Sequence, residues 1–303
     1  MARVPALCYA HVMHVVKKNG SRSIGDHLRG WRERRHLSQL ELSLRAEVST
    51  RHLSFVETGR AAPGRELILR LGEELQIPLR ERNTLLVAAG FAPIFQQRRF
   101  DDPSLDSVRT ILDLALENQK PFPAYVIDRH WTVVASNAAA PVLYEGVAPE
   151  LVRPPINVIR LMLDPRGMAP RIVNFTAWRT HLLAQVRRQL SLTADPLLES
   201  LLREALAFPA GKMNDDGHAP IESPAMLLRV ETRLGRLSFL GATTVFGTPA
   251  DVTLEEIALE VLYPADAFTD KTVRAAAAAA PEATPATVLP SSSLRATSRP
   301  AAH

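Results

Sequence analysis

Two serine-led helix starts stand eleven residues apart, Ser38 opening SQLELSLR and Ser49 opening STRHLSFVE, with about three residues between the segments they begin. Glu41 follows Ser38 at the third position, so serine and glutamate can each cap a backbone N–H of the other. Ser49 supplies a second N-cap, and Gly59 stands where a left-handed residue ends a helix. Around this pair the period stays helical: Ile24, Leu28 and Trp31 recur at i, i+4 and i+7 in a first helix ending in WRERR. After AAPGR the pattern predicts a fourth helix over Arg65 to Gln76 and a fifth over Leu79 to Ala89, closed by Gly90 and Pro93. Five short helices in about 70 residues make residues 23–93 an all-α domain.

The chain of 303 residues is long for one unit and comfortable for two, at roughly 100 to 200 residues per domain. Its apolar content of 46% with 22% charge suits a globular core, and no run reaches the ~18 apolar residues a membrane span needs. Residues 1–100 carry 17 Lys+Arg against 9 Asp+Glu, and the remainder 19 against 23. A basic module on a slightly acidic body points to a polyanionic partner for the first and a different task for the second. The single cysteine, Cys8, excludes a disulfide framework and fits a reducing cytoplasm. Residues 1–22 lack the order of a signal peptide and read as an N-terminal extension, with Met13 an alternative start.

Residues 94–107 lose periodicity and read as a linker, after which Val108 to Glu117 resumes a helix. AYVIDRHWTVVASN predicts two strands around a polar turn at Asp128 to His130, and AAAPVLY begins a helix. Residues 156–163 are open between strand and helix; two amphipathic helices are expected over Trp178 to Leu190 and Pro196 to Ala207, with Asp195 as a cap. GKMNDDGHAP reads as a loop, and AMLLRVETRLG, RLSFLGATTVFG and LEVLYP as two or three strands, the first two joined by a turn at Arg233 to Arg236. The region 108–274 is therefore mixed, an antiparallel sheet with helices. In 275–303, 22 of 29 residues are Ala, Pro, Ser or Thr, which predicts a disordered tail. The whole is an α+β chain.

The tight pair of helices has the layout of a helix-turn-helix, whose second helix enters the major groove of double-stranded DNA. SQLELSLRAEVSTRHLSFVETGRAAPGRELILRLGEEL resembles the Cro/C1-type (XRE) helix-turn-helix family over residues 24–90: Leu42 and Ala46 face inward, Leu53 and Val56 are buried on the next helix, and Glu57 and Gly59 end it. One departure is Glu47, where the family often places glycine in the turn. The resemblance implies that Gln39 meets a phosphate and in addition a base, while Thr50, Arg51 and Phe55 face the groove; Ser49 is a further DNA-binding candidate, and Arg60 and Arg65, near the loop, are expected to bind phosphates. Arg51 can pair bidentately with guanine, Thr50 can donate or offer its methyl, and Phe55 can lie on a thymine methyl or tuck against the fourth helix. Arg32 matches the position that pairs inward with Glu57. Leu40 and Leu44 form an i, i+4 pair explained by packing against the extension as well as by a dimer or domain contact.

The second half resembles the MmyB-like ligand-binding domain that follows such helix-turn-helix modules in regulators. Besides RHLSFVETGR, the residues that carry this are PFPAYVIDRHWTVVASNAAA, PPINVIRLMLDPRGMAPRIVNFTAW and LEVLYPADAFT, over about 108 to 270. The resemblance implies a PAS-like fold, a five-stranded antiparallel sheet with helices over one face, that senses a small apolar, fatty-acid-like ligand. Val158, Leu161, Trp178, Leu182, Leu228 and Phe246 are candidates to line its cavity or to be plain core, and Asn157 and Arg160 candidates to meet a carboxylate head.

His130, His181 and His218 are scattered, and no nucleophile–base grouping, metal-ligand spacing or phosphate loop is evident, so no enzyme and no metal is expected. The expectation is a cytoplasmic, sequence-specific transcriptional regulator, a homodimer on DNA, whose PAS-like domain senses an apolar molecule. The alternative is a DNA-binding protein whose second domain serves only dimerisation or protein contact.

Overall fold

The structure, a computed structural model, describes residues 23–210, 227–247 and 249–279. The expected extension at 1–22, the GKMNDDGHAP loop with His218, and the tail from 280 lie outside the described residues. Two compact units divide the chain: one holds the residues up to Gln97 with 191–193 and 249–255, the other the remainder.

Among its described residues up to Gln97 the first unit contains five helices, α1 (Ile24–Arg34), α2 (Gln39–Arg45), α3 (Thr50–Glu57), α4 (Arg65–Glu74) and α5 (Leu79–Ala88). Ser38 accepts from the Glu41 N–H while Glu41 accepts from the Ser38 N–H, and Ser49 accepts from the His52 N–H, so both serine caps form as their spacing dictates. All five helices stop the same way. His36, Glu47, Gly59, Gln76 and Gly90 adopt left-handed φ, and the next N–H in each case reaches back five residues, as from Val48 to the Ser43 carbonyl and from Arg60 to the Phe55 carbonyl. Glu47 holds φ at +52°, so the turn before α3 is made by a residue with a Cβ rather than by glycine. Leu28, Trp31, Leu42, Ala46, Leu53 and Val56 close on one another as a single core. At Gly25 a Cβ would stand 2.6 Å from the carbonyl oxygens of Val56 and Glu57, so α1 docks directly on the end of α3.

In the second unit α6 (Asp106–Asn118) precedes β1 (Ala124–Ile127) and β2 (Val133–Ser136). Then follow α7 (Val158–Leu163), α8 (Phe175–Thr193), α9 (Pro196–Ala207), β3 (Leu227–Thr232) and β4 (Gly235–Val245). A short α10 (Val252–Glu255), counted with the first unit, precedes β5 (Ala258–Pro264) and α11 (Ala267–Ala279) of the second. The strands form one antiparallel sheet in the order β2-β1-β5-β4-β3, with the expected β3–β4 turn in place. On one face Tyr125, Ile127, Leu228, Val230, Phe239 and Leu262 pack against Trp178, Leu182, Leu183 and Val186 of α8. On the other, α6 packs against β1 and α11 against β4 and β5, so helices cover both faces rather than one.

Several boundaries move. A 3-10 turn at Pro103–Leu105 and the start of α6 at Asp106 occupy the end of the segment expected as linker, because Asp102 caps the turn through the Ser104 N–H. The helix expected at AAAPVLY is a 3-10 stretch over Ala140–Tyr144, where Pro141 removes an N–H that a longer helix needs. The undecided 156–163 resolves as a helix capped by Asn157, and α8 runs three residues beyond each end of its expected range. Helix α11 continues through Ala279, five residues into the expected tail, since an alanine run is the strongest helix former available.

A helix-turn-helix surface and a sheet-floored cavity

Helix α3 turns Leu53 and Val56 fully inward and leaves Arg51 and His52 exposed. Phe55 is half-buried; the Arg51 guanidinium lies 5.3 Å from its ring centroid and that of Arg60 lies 5.9 Å away. The aromatic ring thus gathers two cations on one surface. Arg65 is exposed at the start of α4, its guanidinium 5.5 Å from the Phe91 ring centroid. The Ser49 hydroxyl oxygen accepts from the His52 N–H. Ser43 gives its single hydroxyl proton to the Leu40 carbonyl, so in its 2.8 Å contact with Thr50 the threonine donates. The donor that sequence reasoning offered to a base is therefore engaged; a lone pair and the methyl of Thr50 remain.

Glu57 is completely buried, and Arg32 grips it with two hydrogen bonds, Nε to Oε1 at 2.7 Å and an Nη to Oε2 at 2.9 Å, while donating also to the Leu37 carbonyl. The Gln39 amide donates to the same carboxylate at 2.8 Å, and Arg29 lies 3.7 Å away. Burial alone would push the Glu57 pKa up, but the hydrogen bonds from Arg32 and Gln39 and the charges of Arg32 and Arg29 outweigh it and hold it below the ordinary carboxylate value. Gln39, expected to reach toward DNA, thus has one amide proton committed to the ion pair that locks α1, α2 and α3 together. Leu40 and Leu44 stand exposed on α2, at 58% and 70%.

In the second unit the register of the sheet assembles a second site. Glu260 of β5 lies opposite Tyr125 of β1 on one side and Thr243 of β4 on the other, and Leu262 lies opposite Gly241. Side chains two apart share a face, so these five residues form one floor under α8. From above, Trp178, His181, Leu182 and Gln185 descend at the 3-4 spacing of a single helix face. Trp131, Val158 and Met162 complete the wall of a cavity of about 300 Å³, at the small end of the roughly 300 to 1,000 Å³ typical of small-molecule sites.

The cavity is polar at selected points. Thr243 donates to Glu260 at 2.8 Å, and burial pushes the Glu260 pKa up despite that bond. His181, its pKa lowered by burial, lies 2.5 Å from the Gln185 amide nitrogen. Burial, with Glu260 and Tyr144 nearby, raises the Tyr125 phenol. The Trp178 Nε1–H is buried with no hydrogen-bond acceptor, a donor left unpaired at real cost. Trp131, by contrast, donates to Gln189.

Of the residues expected to meet a ligand, Val158, Trp178 and Leu182 line this cavity. Leu161 and Leu228 are buried core elsewhere, and Phe246 lies half-buried beyond the end of β4. Asn157 caps α7, accepting from the Arg160 N–H and donating to the His130 carbonyl. Arg160 forms a two-bond pair with Glu204 of α9, both bonds 2.8 Å, because α7 turns it away from the sheet. Neither Asn157 nor Arg160 therefore lines the cavity. His181 and Gln185 were legible as two polar residues interrupting the apolar stripe of Trp178 and Leu182; Tyr125, Thr243 and Glu260 meet only through the sheet register. His130 is tied to Asp195. Among the described residues no cluster of three metal-ligating groups occurs, and no described helix is long and apolar enough to cross a membrane.

A helix-turn-helix module followed by an α+β domain, with a five-stranded antiparallel sheet and a lined cavity, defines a DNA-binding regulator with a ligand-binding half. The chain belongs to the MmyB-like transcription regulator ligand binding domain family, whose model matches residues 108–276, and the helix-turn-helix family model matches residues 28–82. No curated protein matches the sequence. Among solved structures, an RNA-binding light-oxygen-voltage receptor is similar at 15% identity, over 92% of this chain and 70% of that one, with a TM-score of 0.25, too loose to support shared geometry.

Proposed function

We propose that the protein is a cytoplasmic, sequence-specific transcriptional regulator that binds DNA as a homodimer through α3 and takes a small apolar, fatty-acid-like molecule into the cavity under α8. What supports the DNA half is the outward set Arg51, Phe55, Arg60 and Arg65 on a module whose inward faces are fully packed. Arg51 reads a base edge beside Phe55, Arg60 and Arg65 hold phosphates, and Ser49, Thr50 and Gln39 flank them with what hydrogen-bonding capacity their internal bonds leave. One eight-residue helix offers little affinity, so two copies on adjacent half-sites supply the rest.

The ligand half is carried by one observation, a cavity of about 300 Å³ under α8 with walls of Tyr125, Trp131, Val158, Met162, Leu182 and Leu262. The test is selection of bound DNA from a random pool, with protein as purified and after extraction of apolar molecules, alongside native mass spectrometry. A selected site whose affinity changes with a co-purifying small molecule is expected. A sharp site unaffected by extraction, with an intact dimer and no bound mass, would instead assign the second domain to dimerisation or protein contact.

A further inference from the structure

We infer that the cavity takes a straight-chain amphipath of medium length, about eight to ten carbons, with the limit set by the closed wall at Trp131 and Met162 and by the missing side chain at Gly241. The inference rests on the ligand-binding reading above and adds a chain length to it. A volume of about 300 Å³, at roughly 30 Å³ for each water-sized group, holds about ten non-hydrogen atoms. The span of the floor agrees. Tyr125, Glu260 and Thr243 sit on three neighbouring strands, so the floor is about 10 Å across at two strand spacings.

The cavity is closed on one side and open on another. Trp131, Met162 and Leu182 are 6%, 1% and 4% exposed, and Trp131 is held at ring and backbone, its Nε1–H donating to Gln189 and its backbone N–H to the Asp128 carbonyl. A close-packed wall of this kind does not part for extra methylenes. Gly241 and Thr243 are exposed, and among the described residues β3 pairs with β4 only as far as Leu240, so the open side lies at β4. A chain therefore enters tail-first, and length beyond the cavity stays in water and adds no burial. Gly241 keeps free the room that a side chain would take. It lies opposite Leu262 on the floor, and a Cβ there would stand 3.9 Å from Leu262 Cδ2, in ordinary contact.

Tryptophan fluorescence of the full chain, titrated with straight-chain acids from hexanoate to hexadecanoate and with the matching primary alcohols, tests this, with native mass spectrometry to count bound molecules. Affinity should tighten about fourfold for each added methylene up to about eight to ten carbons and then level off, for acids and alcohols alike. Met162→Ala opens the closed wall and should move that plateau about two to three carbons longer. Gly241→Leu should weaken octanoate at least about tenfold, because the leucine side chain occupies room that the ligand uses. The wild-type series decides by itself if either variant fails to fold: affinity that keeps rising at the same rate to hexadecanoate overturns the length limit and leaves the ligand-binding reading intact. An unmoved plateau in Met162→Ala, or undiminished octanoate binding in Gly241→Leu, overturns it likewise. Absence of binding at every length, for acids and alcohols both, overturns the ligand-binding reading and this inference with it.

Discussion

Arg51 and Phe55 are one helical turn apart on α3, and the guanidinium of the first lies 5.3 Å from the ring centroid of the second. Arg60, after the helix, lies 5.9 Å from the same ring. A cation over an exposed aromatic face gains about 0.5–1 kcal/mol, enough to bias a long side chain toward one direction before DNA arrives. Arg51→Ala is expected to lose roughly 1–3 kcal/mol of discrimination at one base position, whereas Arg60→Ala should weaken binding to all sequences and lower the salt slope by about one. Phe55→Ala should do part of both, because both arginines lose their platform. Gel-shift titrations over a salt series, on the selected site and on random DNA, separate these outcomes; identical behaviour of the two arginine variants would sink the division of roles.

The Glu57 carboxylate makes a pH-dependent prediction for the first unit. Its folded pKa is depressed, so the stability it contributes is present above the ordinary carboxylate range and is lost as pH falls through the folded value. Glu57→Ala removes one partner of a buried pair and should cost about 3–5 kcal/mol, since Arg32, 11% exposed at its side chain, is left uncompensated. Urea unfolding near pH 7 and near pH 3 measures both. The variant should lie well below wild type at the higher pH and approach it at the lower, and a gap that stayed constant would show the charge to be irrelevant.

The uniform left-handed stops yield a cleaner test. Gly59 holds φ +73° and an added Cβ there would meet nothing within 4 Å, so Gly59→Ala tests conformation without a clash. A loss of about 1 kcal/mol is expected from the left-handed penalty. Glu47→Gly, at φ +52°, relieves the same penalty but adds unfolded-state freedom, so its gain should not exceed about 0.5–1 kcal/mol. Thermal unfolding of the two variants should shift in opposite directions; a neutral Gly59→Ala would mean that the turn relaxes.

Much of the first unit was written locally. Ser38 with Glu41, Ser49, Gly59 and the spacing of Leu42, Ala46, Leu53 and Val56 each act within one or two turns of chain, so the helices and their caps follow from near neighbours, whereas the Arg32–Glu57 pair, which joins two helices, was legible only through the family resemblance. The engaged hydroxyl of Thr50 and the committed amide of Gln39 were not legible, because each depends on the partner another helix presents. The cavity shows the same limit more strongly. Tyr125 meets Glu260 and Thr243 through strand register although it lies more than a hundred residues from either, and no local pattern encodes that. Arg160 was a reasonable anion clamp by residue type, yet the packing of α7 beside α9 gave it to Glu204.

Asp195 joins α9 to the turn between β1 and β2 in the second unit. Its Oδ1 accepts from the Leu197 N–H at 2.8 Å, its Oδ2 accepts from His130 Nε2 at 2.9 Å, and Arg129 lies 3.2 Å from Oδ2. Burial would raise its pKa, but the His130 hydrogen bond, the Arg129 charge and the capping N–H together lower it to about 2. Because the folded value is depressed from 3.8, the stabilisation of roughly 1–3 kcal/mol is complete above about pH 4 to 5 and disappears as pH falls toward 2. Asp195→Asn keeps a capping oxygen and loses the charge, so it should forfeit most of that amount at neutral pH. Asp195→Ala should cost about 1 kcal/mol more by removing the cap as well. Hydrogen exchange of the α9 amides reports on the right segment. Equal protection in the two variants would mean that the Leu197 cap contributes nothing, and wild-type protection in both would mean that neither the charge nor the cap holds α9.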